Sequence, residues 1–156
     1  MIYKVGVMLE FMVDFVSTLR NKEVKVTEIP KWGTYLRKQW EDNFANHLSD
    51  KEKKSIYLHD QGGCCGYLWQ VFSYEKKKCL VEEQADTAFN KETKQSCYVF
   101  YQHTDDAFIL ENASALTVDD FVNEEDVYVV DKEFNWTYVR THETGWCGPY
   151  FSRKRL

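Results

Sequence analysis

No stretch of this chain is both long and uncharged. The most apolar run, MIYKVGVMLEFMVDFVSTLR, is interrupted by Lys4, Glu10, Asp14 and Arg20, so it offers no span of the roughly 20 apolar residues that a transmembrane helix needs. It also lacks the small-residue cleavage site of an export signal, and the expectation is a cytoplasmic chain with no membrane partner. Excess positive charge is missing as well. Twenty Lys and Arg stand against 25 Asp and Glu, a formal net charge of -5, which argues against a general nucleic-acid binder because such a protein needs a basic stripe to displace counterions. Catalytic signatures are absent in turn: there is no serine elbow, no GxxxxGK phosphate loop and no HExxH helix. "THETGW" carries only the first two letters of the last, and "DQGGCCG" lacks the Lys and the Ser or Thr that hold phosphate and magnesium. No catalytic residue is assigned.

What is present fits one domain. The 156 residues are 44% hydrophobic and 16% aromatic, enough to bury one substantial core and too few for two ordinary domains. Five cysteines, an odd number, in a chain expected to be cytoplasmic read as thiols or ligands rather than as a disulfide framework. Residues 1–29 are expected to form a helical extension packed on the domain, with Ile2, Val5, Leu9, Met12, Val13, Val16 and Leu19 at helical spacing. Residues 30–152 form the domain and 153–156 a solvated basic tail.

The spacing predicts a helix over 31–48, with Trp32, Leu36, Trp40, Phe44 and Leu48 on one stripe and Pro30 in the first turn. Ser49 and Glu52 make a capping box that opens a short helix through Leu58. "YLWQVFSY" reads as a strand from its aromatic and branched content. "CLVEEQADTAFNKE" reads as a helix with Ala85, Ala88 and Phe89 inward. "SCYVFYQH" and "AFILENA" form a hairpin around "TDD", Thr117 with Asp120 caps a short helix, and "DVYVVD" and "FNWTYVRTH" form a second hairpin around Lys132 and Glu133. The fold class is therefore α+β: a mainly antiparallel sheet of about five strands covered by helices on one face.

"GYLWQVFSY", "WTYVRTHE", "CGPYF" and "YLRKQWEDNFANHLS" resemble an uncharacterised family of small proteins from Gram-positive bacteria that carries a domain-of-unknown-function label. The resemblance covers roughly residues 30 to 152 and implies a compact cytosolic domain. It supplies no substrate, cofactor or catalytic residue.

Two short segments share a pattern. "HDQGGC" from His59 to Cys64 and "HETGWC" from His142 to Cys147 both read His, acid, any residue, Gly, any residue, Cys. Zinc takes four tetrahedral nitrogen and sulfur ligands, so His59, Cys64, His142 and Cys147 are the candidate metal site, with Cys65 able to replace Cys64 and Asp60 and Glu143 behind the histidines. The same groups would supply a thiol nucleophile and its base if they met. The competing reading is small buried cysteines and turn glycines closing two neighbouring loops. Cys97 and His103 sit at opposite ends of one expected strand, about 20 Å apart at roughly 3.3 Å per residue, and cannot share an ion.

Alternation along the last strand places Phe134, Trp136, Tyr138, Arg140 and His142 on one face. The stripe reads as core whose charged end emerges at the rim, so Trp136, Tyr138, Arg140, His142 and Glu143 form a candidate binding rim. The functional expectation is a non-catalytic cytosolic binding or regulatory protein acting on a protein partner. The alternative is a zinc or thiol site built from the two loops, and no other cofactor is implied.

Overall fold

A computed structural model describes residues 14–155 of the chain. Most of the expected N-terminal helix lies outside these residues. Its described part, α1 (residues 14–21), buries Phe15, Val16 and Leu19. The chain then runs through β1 (Lys25–Glu28), α2 (Gly33–Phe44), α3 (Asp50–Ser55), α4 (Gln70–Ser73), β2 (Leu80–Val81), α5 (Glu82–Lys91), β3 (Ser96–Tyr101), β4 (Ala107–Glu111), a 3-10 turn (Val118–Phe121), β5 (Val127–Asp131), β6 (Trp136–Arg140) and β7 (Tyr150–Arg153). Among the described residues no helix is long and apolar enough to cross a membrane.

The class is α+β, but among the described residues the sheet has seven strands, not about five, in the order β1-β4-β3-β5-β6-β7-β2. Every neighbouring pair is antiparallel. Three strands had no strong sequence signal. β1 joins the edge beside β4, so residues 14–28 are built into the sheet and core, and the expected boundary after residue 29 falls just past an edge strand. β7 pairs with β6 through Trp136 and Arg153, so the expected basic tail begins inside a strand, and β2 adds two residues to the far edge.

One expected strand does not exist. "YLWQVFSY" is a turn leading into the single helical turn of α4, which buries Leu68, Trp69, Val71 and Phe72. A short apolar run suits either a strand or a buried helical turn, and here the spacing 68, 69, 71, 72 fits the helix.

Helices cover both faces of the sheet, not one. The first layer packs Phe15, Leu19, Ala85, Phe89 and Phe121 on Val99, Phe108, Leu110, Val129, Trp136 and Tyr138. The second packs Leu36, Trp40, Phe44, Trp69 and Phe72 on Phe100, Tyr128, Val130, Val139 and Tyr150. This explains "VYVV" in β5, four consecutive buried residues: with both faces covered, both parities of a strand are apolar.

Local signals for the helices hold with shifted ends. Ser49 and Glu52 form their reciprocal capping box, though α3 ends at Ser55, not Leu58. Asp120 accepts from the Thr117 amide at 3.0 Å. The stripe Leu36, Trp40 and Phe44 is fully buried, yet α2 starts at Gly33, after Pro30, and ends at Phe44; Trp32 stands at its N-cap, exposed. Buried in the centre, Trp40 Nε1 donates to Thr137 Oγ1 at 2.9 Å, and that hydroxyl donates to Val129 O at 2.9 Å. The bonds pin α2 across β6 and β5.

Candidate functional site: two loops at one end of the sheet

The HDQGGC and HETGWC loops come together at the end of the sheet where β3, β5 and α2 present their termini. The first loop is closed by its own backbone. Gln61 and Cys64 exchange main-chain bonds at 2.9 and 2.8 Å, Asp60 Oδ1 accepts from Gly66 N at 2.7 Å, and Tyr67 N donates to Tyr57 O at 3.1 Å. Gly66 is required here by contact. A side chain at that position would overlap the backbone of His59, so the loop doubles back only with glycine at its closing point.

Beyond the loop, Tyr67, Leu68 and Trp69 are stitched to the sheet. Gln102 Oε1 accepts from Leu68 N at 2.9 Å and from the Tyr128 hydroxyl. The Tyr128 oxygen accepts from Trp69 N at 3.1 Å, and Trp69 Nε1 donates to Asp126 Oδ1 at 3.0 Å. Asp126 also holds His142, whose Nδ1 lies 3.0 Å from its carboxylate oxygens. A carboxylate only accepts, so Nδ1 carries a proton. Burial works against the charged imidazole of His142, but the hydrogen bond and charge of Asp126 outweigh it and raise its pKa. The ring of His142 sits 5.1 Å from that of Tyr67, and Tyr67 packs edge-on to His103 at 5.1 Å.

The second loop is equally well bonded. Thr141 Oγ1 accepts from Glu143 N at 3.1 Å and donates to Cys147 O. Trp146 N and Cys147 N both donate to Glu143 O, at 2.8 and 2.7 Å. At the tip of this loop the Trp146 side chain is 89% exposed.

The four expected metal ligands are not assembled. His59 Nε2 lies 2.5 Å from Glu41 Oε1, and His142 is turned to Asp126. Cys64 is exposed on its turn and Cys147 is half-buried. Among the described residues no three His, Cys, Asp or Glu side chains are grouped to hold a metal ion. The first loop's outgoing segment meets the second loop through Tyr67, whose ring packs on that of His142. Nor is either half-buried thiol activated: burial pushes Cys147 up, reinforced by Glu143, and burial pushes Cys79 up to about 11.

The expected rim is also divided. Trp136 and Tyr138 are core, packed on Phe89 at 5.8 and 4.7 Å, with the Tyr138 hydroxyl donating to Asp86 at 2.7 Å. Arg140 is half-buried at the end of β6. Of the five, His142 and Glu143 are the exposed ones, and His142 has left the stripe: β6 ends at Arg140, and the following turn carries the imidazole to the aromatic pair Tyr67 and Trp69 of the second layer. Phe134 likewise precedes β6 and packs in the second layer.

A cleft of about 480 Å³ adjoins the loops, bounded by α2 and by the β3–β4 turn and lined by Arg37, Glu41, His59, Asp60, Gln102 and His103. Arg37 ties these walls together, donating to Tyr101 O at 2.9 Å and Thr104 O at 2.6 Å. Glu41 is 8% exposed and accepts from both His59 and Lys53, the latter at 2.8 Å. Its burial opposes ionisation, but the bonds from His59 and Lys53 prevail and hold the carboxyl below its ordinary range.

Sequence reasoning missed Glu41, Tyr67, Asp126 and Trp146. A signal existed for two of them. Glu41 precedes Phe44 by three residues and follows Arg37 by four, on the edge of the buried stripe, and Trp146 is an aromatic residue in an otherwise polar glycine loop. Tyr67 and Asp126 gave none, because their roles depend on contacts between distant segments.

The family model described as a domain of unknown function, DUF4275, matches residues 13–151. No curated protein and no solved structure matches the chain.

Proposed function

The chain belongs to the DUF4275 domain family, and on that premise we propose that it is a binding or regulatory protein of the cytoplasm that docks a protein partner on the face built by the HDQGGC and HETGWC loops. One observation carries the reading. Trp146 holds its indole 89% in solvent at the tip of a loop fixed by its own hydrogen bonds. Isolated apolar side chains are common on surfaces, but a tryptophan on a pre-ordered loop loses little freedom on binding and is among the residues that dominate interface energies. The exposed His142 and Glu143 beside it supply a polar margin, as the rim of an interface requires.

A zinc or thiol site on the same loops has less support. His59 and His142 each spend a ring nitrogen on a carboxylate in a different part of the face, and the Cys147 thiol is pushed up, away from the thiolate that either chemistry needs.

The test is photo-crosslinking from Thr144 in the full chain, expressed in its own host. The expected result is one stoichiometric protein partner that is lost on Trp146→Ala and kept on Trp32→Ala, an exposed tryptophan elsewhere. Retention of the partner by Trp146→Ala, or a tightly bound small molecule in place of any stoichiometric protein, overturns the reading.

A further inference from the structure

The lysine run 76–78 and Lys154 of the expected basic tail line one groove in the fold. Lys76, Lys77 and Lys78 follow α4, Lys154 follows β7, and Asn43, Asn46 and His47 close the other wall; the space between them is about 430 Å³. In a chain of net charge -5 the groove gathers four lysines, with Glu75 as the single acidic side chain among the described residues of its lining.

The main chain of these segments is held by the rest of the protein. His47 lies beyond the end of α2 and does not cap it; its Nε2 reaches Lys76 O at 2.6 Å, and since a carbonyl only accepts, Nε2 carries the proton. Ser152 Oγ donates to Lys78 O at 2.7 Å. Lys77 Nζ donates to Lys154 O at 3.2 Å, and Lys154 N donates to Asn135 O at 2.9 Å. Residues 77 positions apart are thereby fixed side by side. The ammonium groups of Lys76, Lys78 and Lys154 are a different matter. All three residues are exposed, and among the described residues none forms an ion pair within 4.0 Å. Glu52 acts on Lys76 only through space. A multiply charged anion lodged in the groove would accept several charge-assisted hydrogen bonds from these ammonium groups.

We infer that the groove between the 76–78 turn, Lys154 and His47 is a binding site for a small polyphosphate-bearing molecule. The lining argues for phosphate over an apolar ligand: apart from the Glu75 carboxylate its side chains end in ammonium, amide and imidazole groups, and its volume lies in the range of small-molecule sites. A diphosphate carries more than one charged oxygen and so can engage both Lys76 and Lys154 of the lining. This site is distinct from the loop face and stands whether or not that face docks a protein.

Calorimetric titration of the full chain with inorganic pyrophosphate, ADP and adenosine tests it. Pyrophosphate and ADP should bind saturably at one site per chain and more weakly as salt is raised. Adenosine should not bind. The double variant Lys76→Gln, Lys154→Gln, which removes two charged donors, should weaken pyrophosphate by at least about tenfold, or about 1.4 kcal/mol, while Lys25→Gln, an exposed lysine on β1, should leave it unchanged. No saturable binding to the parent protein at millimolar pyrophosphate, equal binding by the double variant with its circular dichroism unchanged, or adenosine binding as tightly as ADP would each overturn the assignment.

Discussion

The rings of Tyr67 and His142 lie 5.1 Å apart at an interplanar angle of 40°, and through this contact two loops from opposite halves of the chain share one face. Asp126 fixes both sides of it, accepting from His142 Nδ1 and from Trp69 Nε1. The relationship makes His142 a reporter of the whole face.

His142 should titrate above the ordinary imidazole value of about 6.5, because Asp126 favours the charged ring more than burial disfavours it. A raised folded-state pKa stabilises the fold fully below the unfolded value, and that contribution is lost as pH rises through the folded pKa. Proton NMR of the imidazole measures it, and Asp126→Asn should lower the midpoint. A midpoint unmoved by Asp126→Asn would show that the pair does not form in solution.

Glu41→Ala should destabilise the protein by about 2–3 kcal/mol at neutral pH, chiefly the cost of leaving the largely buried Lys53 ammonium without its partner, while the more exposed His59 turns to water. The sign with pH is opposite to that of His142. A depressed carboxyl pKa stabilises above the unfolded value of about 4.3, and the contribution is lost as pH falls through the folded pKa. Urea unfolding at several pH values should therefore show parent and variant converging in acid. A constant gap would place the cost in packing alone.

Thr137→Val keeps the shape of a fully buried side chain and removes the hydroxyl that receives Trp40 Nε1. The indole N–H is left without a partner, at a cost of about 1–3 kcal/mol. Thr137→Ser retains the oxygen and should cost less. The order of the two unfolding midpoints decides it, and Thr137→Val as stable as Thr137→Ser would mean the bond contributes nothing.

Thiol labelling of the native protein should modify Cys64 and Cys65 first, since both are exposed. Cys97, 1% exposed and pushed up to about 12 by burial, should react only after unfolding. Peptide mapping after a short pulse of reagent distinguishes the sites, and early modification of Cys97 would contradict its place in the first core layer.

Local interactions made much of this architecture legible in the sequence. The capping box of Ser49 and Glu52, the stripe of Leu36, Trp40 and Phe44, and the hairpins β3–β4 and β5–β6 each rest on neighbours a few residues apart. The seven-strand order and the second covered face were not legible, because they depend on which distant segments pair and which side each helix takes. "VYVV" in β5 carried a trace of the two-sided burial.

The same division holds for the site. The sequence by itself determined that two matched His and Cys loops exist; that the first doubles back with Gly66 against the His59 backbone is visible only in the structure. Only the tertiary structure decided what they do to one another. It packed Tyr67 on His142, gave His59 to Glu41 and His142 to Asp126, and brought Lys154 to the turn at Lys76. The physical reason is that a hydrogen bond or an ion contact is decided within a few ångströms, and sequence spacing sets such distances only within an element, never between elements joined by a long chain.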